Sequence, residues 1–273
     1  MSSGRTEAIP GSGKSAPDTG GKTRDAILDG RLTVIQPKSG PRAAIDALFL
    51  AAAVPAEEGR AQSVLEAGTG TGVASLALCA RVRDAQVTCV DIQPELLSLA
   101  RESSRLNGMD DRVTLIEADV TAPGKELDES GLRRESFAHV AANPPFFTRG
   151  ELREAKDPVR AKAYSAGRDD MEKWVKFLTR MAEPNGTLTL IHKADALGTL
   201  LSLLQGRFGD LTVFPLFPRE GVRAKRILVQ GIKGSRAPLR LLPGMVLHEG
   251  DGDYTAEADA VLRGMAPLDL RGA

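Results

Sequence analysis

Ser63-Val64-Leu65-Glu66-Ala67-Gly68-Thr69-Gly70-Thr71-Gly72 decides the fold. Ser63 to Glu66 reads as a buried strand, and the glycines that follow leave a loop whose backbone a ligand can touch. Val73 to Val82 has the apolar face of a helix, and Gln86 to Val90 reads as a second strand ending at Asp91. Strand, glycine loop, helix and strand form a βαβ opening of the nucleotide-binding kind. An acid some 20 residues beyond the glycines is placed to accept from ribose hydroxyls. Two details argue against a dinucleotide. The spacing is G-x-G-x-G, not G-x-G-x-x-G, and Glu66 precedes the loop, where a carboxylate repels a pyrophosphate and suits a cationic ligand.

Downstream the alternation continues. Pro94 opens a helix to about Asn107, with Gly108 as its C-cap. Arg112 to Glu117 is a strand ending near Asp119, and 120–136 is a polar loop with room for one helical turn. Phe137 to Ala142 is the fourth strand. A helix from about Asp169 to Met181 stops at Pro184 and Gly186. Thr187 to His192 is the fifth strand, and Asp195 to Gln205 a helix. Leu211 to Phe217 and Arg226 to Ile232 follow with no helix between them, which predicts an antiparallel pair. Upstream, Arg31 to Gln36 is a short strand, and Ala43 to Val54 a helix with Ile45, Leu48, Phe49 and Ala52 on one face. Asp46 falls one turn after Arg42 there, spaced for a solvated pair. The predicted architecture is α/β: a Rossmann-like, seven-stranded, mostly parallel sheet closed by an antiparallel C-terminal strand pair.

The fourth strand runs into Asn143-Pro144-Pro145-Phe146-Phe147. The prolines lack N–H groups and fix their own backbone angles, so they end the strand and hold Asn143 extended at its carboxyl end. Open α/β sheets place their ligands at that edge. By itself the stretch also reads as a proline-terminated strand with a packed Phe.

The composition is ordinary for a globular chain: 273 residues, 42% hydrophobic, 26% charged, formal net charge zero. No apolar run approaches the roughly 20 residues of a membrane span. Cys79 and Cys89 sit inside apolar runs, as reduced core residues of a cytoplasmic protein do. Residues 1–24 are polar and aperiodic and read as a disordered tail. Gly11-Ser12-Gly13-Lys14-Ser15 and Gly20-Gly21-Lys22-Thr23 imitate a phosphate-binding loop, but neither has its first glycine or a strand before it. His139, His192 and His248 are scattered and read as structural, with His192, at the end of the fifth strand, also in a position to line the pocket. Tyr164, Trp174 and Phe177 read as packing residues.

The pattern E-x-G-x-G-x-G at 66–72 resembles the first motif of class I S-adenosylmethionine-dependent methyltransferases, whose cofactor carries an ammonium and a sulfonium but no phosphate. Asn143-Pro144-Pro145-Phe146 resembles the [DNS]-P-P-[YF] motif of the members that methylate an amine conjugated to a ring or carbonyl. Such a nitrogen is a poor nucleophile because its lone pair is delocalised. Two acceptors, the Asn143 side-chain oxygen and the Pro144 carbonyl, take its N–H groups and aim the lone pair at the methyl. Pro144 and Pro145 keep that corner rigid, and Phe146 offers a stacking face to a flipped base. No metal is required.

Over about residues 26–265 the chain resembles the bacterial tRNA adenine-N6 methyltransferases that modify adenine-37 of valine tRNA. The likeness includes Arg42 with Asp46-Ala47-Leu48-Phe49-Leu50, the Asn143–Phe147 motif, Arg160-Ala161-Lys162, Pro218-Arg219, Arg226 and the ending Asp251-Gly252-Asp253-Tyr254-Thr255. It implies a domain over 25–273, divided into an entry segment (25–60), a catalytic core (61–235) and a C-terminal extension (236–273). It implies S-adenosyl-L-methionine held by Glu66, Gly68, Thr69, Gly70, Gly72, Asp91, Ile92, Asp119 and Asn143. The three acids go to its amino group, ribose and adenine respectively. Asn143, Pro144, Pro145 and Phe146 become the catalytic corner. Arg42, Asp46, Phe147, Arg149, Arg160, Lys162, Arg219 and Arg226 become tRNA contacts. Cations also gather at Arg149, Arg153, Lys156 and Arg168 and at Arg223, Lys225, Lys233, Arg236 and Arg240, a footprint suited to phosphates on a neutral protein. Guanine-N2 methylation of ribosomal RNA and N5-glutamine methylation of a protein are the alternatives for the same motif. A non-catalytic RNA-binding module and an NAD-dependent oxidoreductase are alternatives of other classes.

Overall fold

The computed structural model describes residues 21–39, 45–55, 59, 61–145, 168–264 and 266–272. β1 (Lys22–Ile27) and β2 (Leu32–Pro37) form an antiparallel hairpin. Residues 22–24, expected as part of a disordered tail, therefore belong to a strand. β1 gave no sequence signal because its inward positions are Asp25 and Ile27, and Asp25 is buried as an acceptor for the Gln36 amide at 2.9 Å. β2 docks on α3 (Pro94–Leu106): the Thr33 N–H donates to Asn107 Oδ1 at 3.0 Å and the Ile35 N–H to Ser103 Oγ at 2.8 Å.

The main sheet comprises β3 (Gln62–Ala67), β4 (Ala85–Asp91), β5 (Val113–Glu117), β6 (Phe137–Ala142), β7 (Ala182–Lys193), β8 (Phe208–Phe217) and β9 (Arg226–Lys233). Its order is β5-β4-β3-β6-β7-β9-β8. The first five strands are parallel, and β9 is antiparallel to both β7 and β8. This is the predicted seven-stranded frame. Two-residue strands β10 (Arg240–Leu241) and β11 (Met245–Val246) extend it to nine, both parallel to β8. Strand order reverses between β3 and β6, so the crevice beyond their carboxyl ends is the topological switch point. Ala67 pairs with Ala142 there, which sets Gly68 and Asn143 side by side.

Apolar residues fill both faces. α1 (Ile45–Ala53), α2 (Val73–Arg81) and α7 (Ala256–Leu262) cover one. α4 (Gly124–Glu129), α5 (Arg168–Met181) and α6 (Leu197–Leu204) cover the other. Among the described residues no helix is long and apolar enough to cross a membrane. β7 starts directly after α5, with no loop between them. Asn185 takes a left-handed φ of 63°, and the β6 register shifts between Phe137 and His139, so Pro184 and Gly186 sit in an irregular strand start.

α1 departs most from expectation, since all nine of its residues are buried. Its C-terminal carbonyls are taken by distant groups: Ala53 O accepts from Gln230 Nε2 at 2.8 Å and Ala52 O from the Leu268 N–H at 2.9 Å. Asp46 is buried, 5% exposed, and not solvated as expected: its Oδ2 accepts from Arg226 Nε at 2.8 Å across 180 residues of sequence. Asp46→Ala leaves a mostly enclosed guanidinium, and the expected loss is roughly 2–4 kcal/mol by urea unfolding. In a double-mutant cycle with Arg226→Met, the second change should recover part of that loss. Additive losses would show that the pair is not coupled.

Candidate active site

The glycine loop bends at three left-handed positions: φ is 68° at Gly68, 56° at Gly70 and 79° at Gly72. At Gly68 the reason is also steric, because a Cβ would stand 2.5 Å from Cη2 of Trp174, a buried residue of α5. A Cβ at Gly70 meets nothing within 4 Å, so this glycine faces open space and its bare backbone is what a ligand would meet.

Glu66 holds the loop from beneath. It is 5% exposed, and its Oε2 accepts from Thr69 Oγ1 at 2.9 Å, from the Ser75 N–H at 3.0 Å and from Ser75 Oγ. The Ser75 amide lies in the first turn of α2, so the carboxylate also caps that helix. Burial raises the Glu66 pKa to about 7 against these stabilising hydrogen bonds. The folded protein thus binds a proton that the unfolded chain has lost above about pH 4.5. Its contribution to stability is complete below that pH and is lost as pH rises through 7. Glu66→Gln should flatten the stability profile over this window and gain on the order of 3 kcal/mol relative to wild type at pH 8. Parallel profiles for the two proteins would refute the assignment.

Asp91, 6% exposed at the end of β4, accepts from the Gly70 N–H at 2.7 Å through Oδ2 and from the Gln93 N–H at 2.9 Å through Oδ1. Burial raises its pKa, and these amides oppose the rise. Next to it Ile92 is 54% exposed, an apolar face beside a polar rim. Asp119, after β5, closes a turn by accepting from the N–H and hydroxyl of Thr121 at 2.8 and 2.7 Å through Oδ1. The loop region thus offers two carboxylates, bare backbone and an exposed aliphatic side chain. That set fits S-adenosylmethionine, with its cationic and nucleoside ends, better than a pyrophosphate.

Beside the loop, Asn143 Oδ1 is buried with no hydrogen-bond partner among the described residues. Leaving such an acceptor unmade costs about 1–3 kcal/mol, so it is a strain the fold carries at this corner. Pro144 is buried as well, and His192 at the end of β7 is buried near the Pro145 backbone. Burial pulls the His192 pKa down to about 4, which keeps the ring neutral. Sequence reasoning placed His192 near the pocket without a role. The signal for it is its register, one residue before the end of the strand next to β6.

Phe146 and Phe147 lie outside the described residues, as do Arg42, Arg149, Arg153, Lys156, Arg160, Lys162 and Tyr164. Trp174 and Phe177 are buried packing residues, as expected. The basic span 219–240 proves not to be one patch, because β9 carries its two halves to opposite ends of the sheet. Lys233 binds Glu135 at 2.8 Å and Arg240 binds Asp210 at 3.3 Å, so these two cations hold the fold.

Fold and site together define a class I S-adenosylmethionine-dependent methyltransferase, and a methyltransferase-domain family profile matches residues 64–155. The tRNA1(Val) (adenine(37)-N6)-methyltransferase of Shewanella amazonensis is 30% identical over 201 residues, 74% of this chain and 76% of that protein. The chain belongs to that family. A release factor glutamine methyltransferase of Deinococcus radiodurans is 37% identical over 112 residues, 40% of this chain and 36% of that protein. Among solved structures, a predicted O-methyltransferase from Agrobacterium tumefaciens superposes with a TM-score of 0.70 at 31% identity, covering 84% of this chain and all of that one.

Proposed function

We propose that this protein transfers the methyl group of S-adenosylmethionine to the exocyclic N6 amine of an adenine in tRNA, adenine-37 of valine tRNA by its family. The observation that carries this reading is the buried Asn143 Oδ1 beside the glycine loop, which has no hydrogen-bond partner among the described residues. An acceptor held ready in that corner suits a substrate that brings N–H groups. It has no use for a hydroxyl oxygen that must first lose its proton to a base.

In this reading Asn143 Oδ1 and the Pro144 carbonyl accept the two N–H groups of the amine, and Phe146 stacks on the base. The cofactor supplies an electrophilic methyl, so the chain's task is to position and desolvate the nitrogen. Gly68, Thr69, Gly70 and Gly72 approach the cofactor through backbone, with Glu66 fixing their curvature. Asp91 takes the ribose hydroxyls, Ile92 lies against the adenine and Asp119 faces its amino group. Arg42, Phe147, Arg149, Arg160, Lys162 and Arg219 contact the RNA. Asp46 and Arg226 serve that surface as a brace, since each engages the other. An RNA substrate and two reduced, buried cysteines suit the cytoplasm.

The reading is tested by incubating protein and cofactor with unmodified tRNA, digesting it and assaying for N6-methyladenosine. Methylguanosine on ribosomal RNA with unmodified tRNA adenine would overturn it in favour of the guanine-N2 reaction. The corner would accept a glutamine amide equally well, so methyl transfer to a release factor in the same assay identifies that alternative.

A further inference from the structure

The connection between β8 and β9, residues 218–225, lies beyond the same sheet edge as Asn143. β6 and β7 are parallel with Ala142 opposite Leu190, and Arg226 at the start of β9 lies opposite Lys193 at the end of β7. The connection therefore leaves the sheet where residues 143–145 do. It carries Arg219, Arg223 and Lys225, all exposed, against one acid, Glu220, with Val222 41% exposed between them.

How these cations are partnered sets them apart. Arg226, Lys233, Arg240 and Arg271 each have an acid within 3.3 Å: Asp46, Glu135, Asp210 and again Asp210. No described acid lies within ion-pair distance of Arg219, Arg223 or Lys225. Arg236 is likewise exposed, but at the opposite end of β9. That strand has eight residues, roughly 26 Å of extended chain.

The tip is also held in place. The Lys225 N–H donates to Leu216 O at 3.1 Å and the Val222 N–H to Arg219 O at 3.2 Å. The His248 N–H donates to Pro218 O at 3.1 Å, and the Asp46–Arg226 pair ties the base of the hairpin to α1. Little chain entropy is lost when a ligand meets an arm already ordered.

We infer that the 218–225 tip is a phosphate-binding arm, in which Arg219, Arg223 and Lys225 grip the RNA backbone beside the target nucleotide. The inference rests on the RNA-methyltransferase reading. It moves the anchor from Arg226, whose charge is used by Asp46, to Arg223 and Lys225. Contacts of this kind position a substrate without reading its bases, so they set affinity and salt dependence and leave base choice to the Asn143 corner.

The experiment compares wild type, the triple variant Arg219→Gln/Arg223→Gln/Lys225→Gln and the far-end control Arg236→Gln on unmodified tRNA at several salt concentrations. For the triple variant the slope of log affinity against log salt should fall by about 2–3, and KM for tRNA should rise on the order of tenfold. Its kcat at saturating tRNA, cofactor affinity and melting temperature should match wild type, and the control should match on every measure. Wild-type affinity and slope in the triple variant would overturn the arm, and so would an equal loss in the control. Failure of the functional reading shows separately, as wild type forming no N6-methyladenosine on the same tRNA.

Discussion

Replacing Asn143 by alanine is expected to lower kcat by about 10²- to 10³-fold, the usual cost of removing one preorganised polar group from a reacting centre. Cofactor affinity should change far less than kcat. The effect on stability has the opposite sign. Asn143 Oδ1 is buried without a partner among the described residues, so the wild-type fold pays for an unmade hydrogen bond. Asn143→Ala should therefore not lose stability and should gain up to about 1 kcal/mol, or a few degrees in melting temperature. Single-turnover kinetics and calorimetry on one preparation check both parts. Retained turnover would refute the catalytic assignment. A large fall in melting temperature would make Asn143 a structural residue.

Gly68→Ala should produce the largest structural damage of any single methyl group in the site. A side chain at φ 68° costs about 1–2 kcal/mol. The new Cβ would also sit 2.5 Å from the Trp174 ring, which adds about 1–3 kcal/mol because the ring is buried and has nowhere to move. Gly70→Ala incurs the backbone part alone, since open space surrounds that position. Urea unfolding should rank the variants wild type, Gly70→Ala, Gly68→Ala. Trp174→Ala in the Gly68→Ala background should be milder than the two separate losses added together. Both glycine variants should lose cofactor affinity. Equal stability of the two would refute the clash.

What the sequence disclosed here follows from how local the physics is. β6 was legible to the residue, because an apolar run ends at two prolines. The β3–loop–α2–β4 unit was legible because its glycines sit at left-handed positions. The β8–β9 pair followed from the lack of a helix between two strands. β1 was not legible, since its buried positions include an acid satisfied only by Gln36 on the partner strand. Nor was the start of β7, where Pro184 and Gly186 signal a stop that sheet pairing overrides. In the site, the residue types near the cofactor loop could be read, but their pairings could not. Arg226 had the look of a free cation because Asp46 lies 180 positions away. The 219–240 cations looked like one patch until β9 separated them.

The enclosure of α1 bears on how the chain is made. Every residue of this helix is buried, yet the groups that enclose it include Gln230, α7 and the Leu268 amide. A ribosome adding about 5–20 residues per second exposes α1 for roughly 10–40 s before those partners emerge. During that interval this largely apolar nine-residue helix has only part of its native cover, from β3 and α2. The nascent chain is then most vulnerable to self-association, and the arrival of Gln230, α7 and Leu268 releases it from that risk.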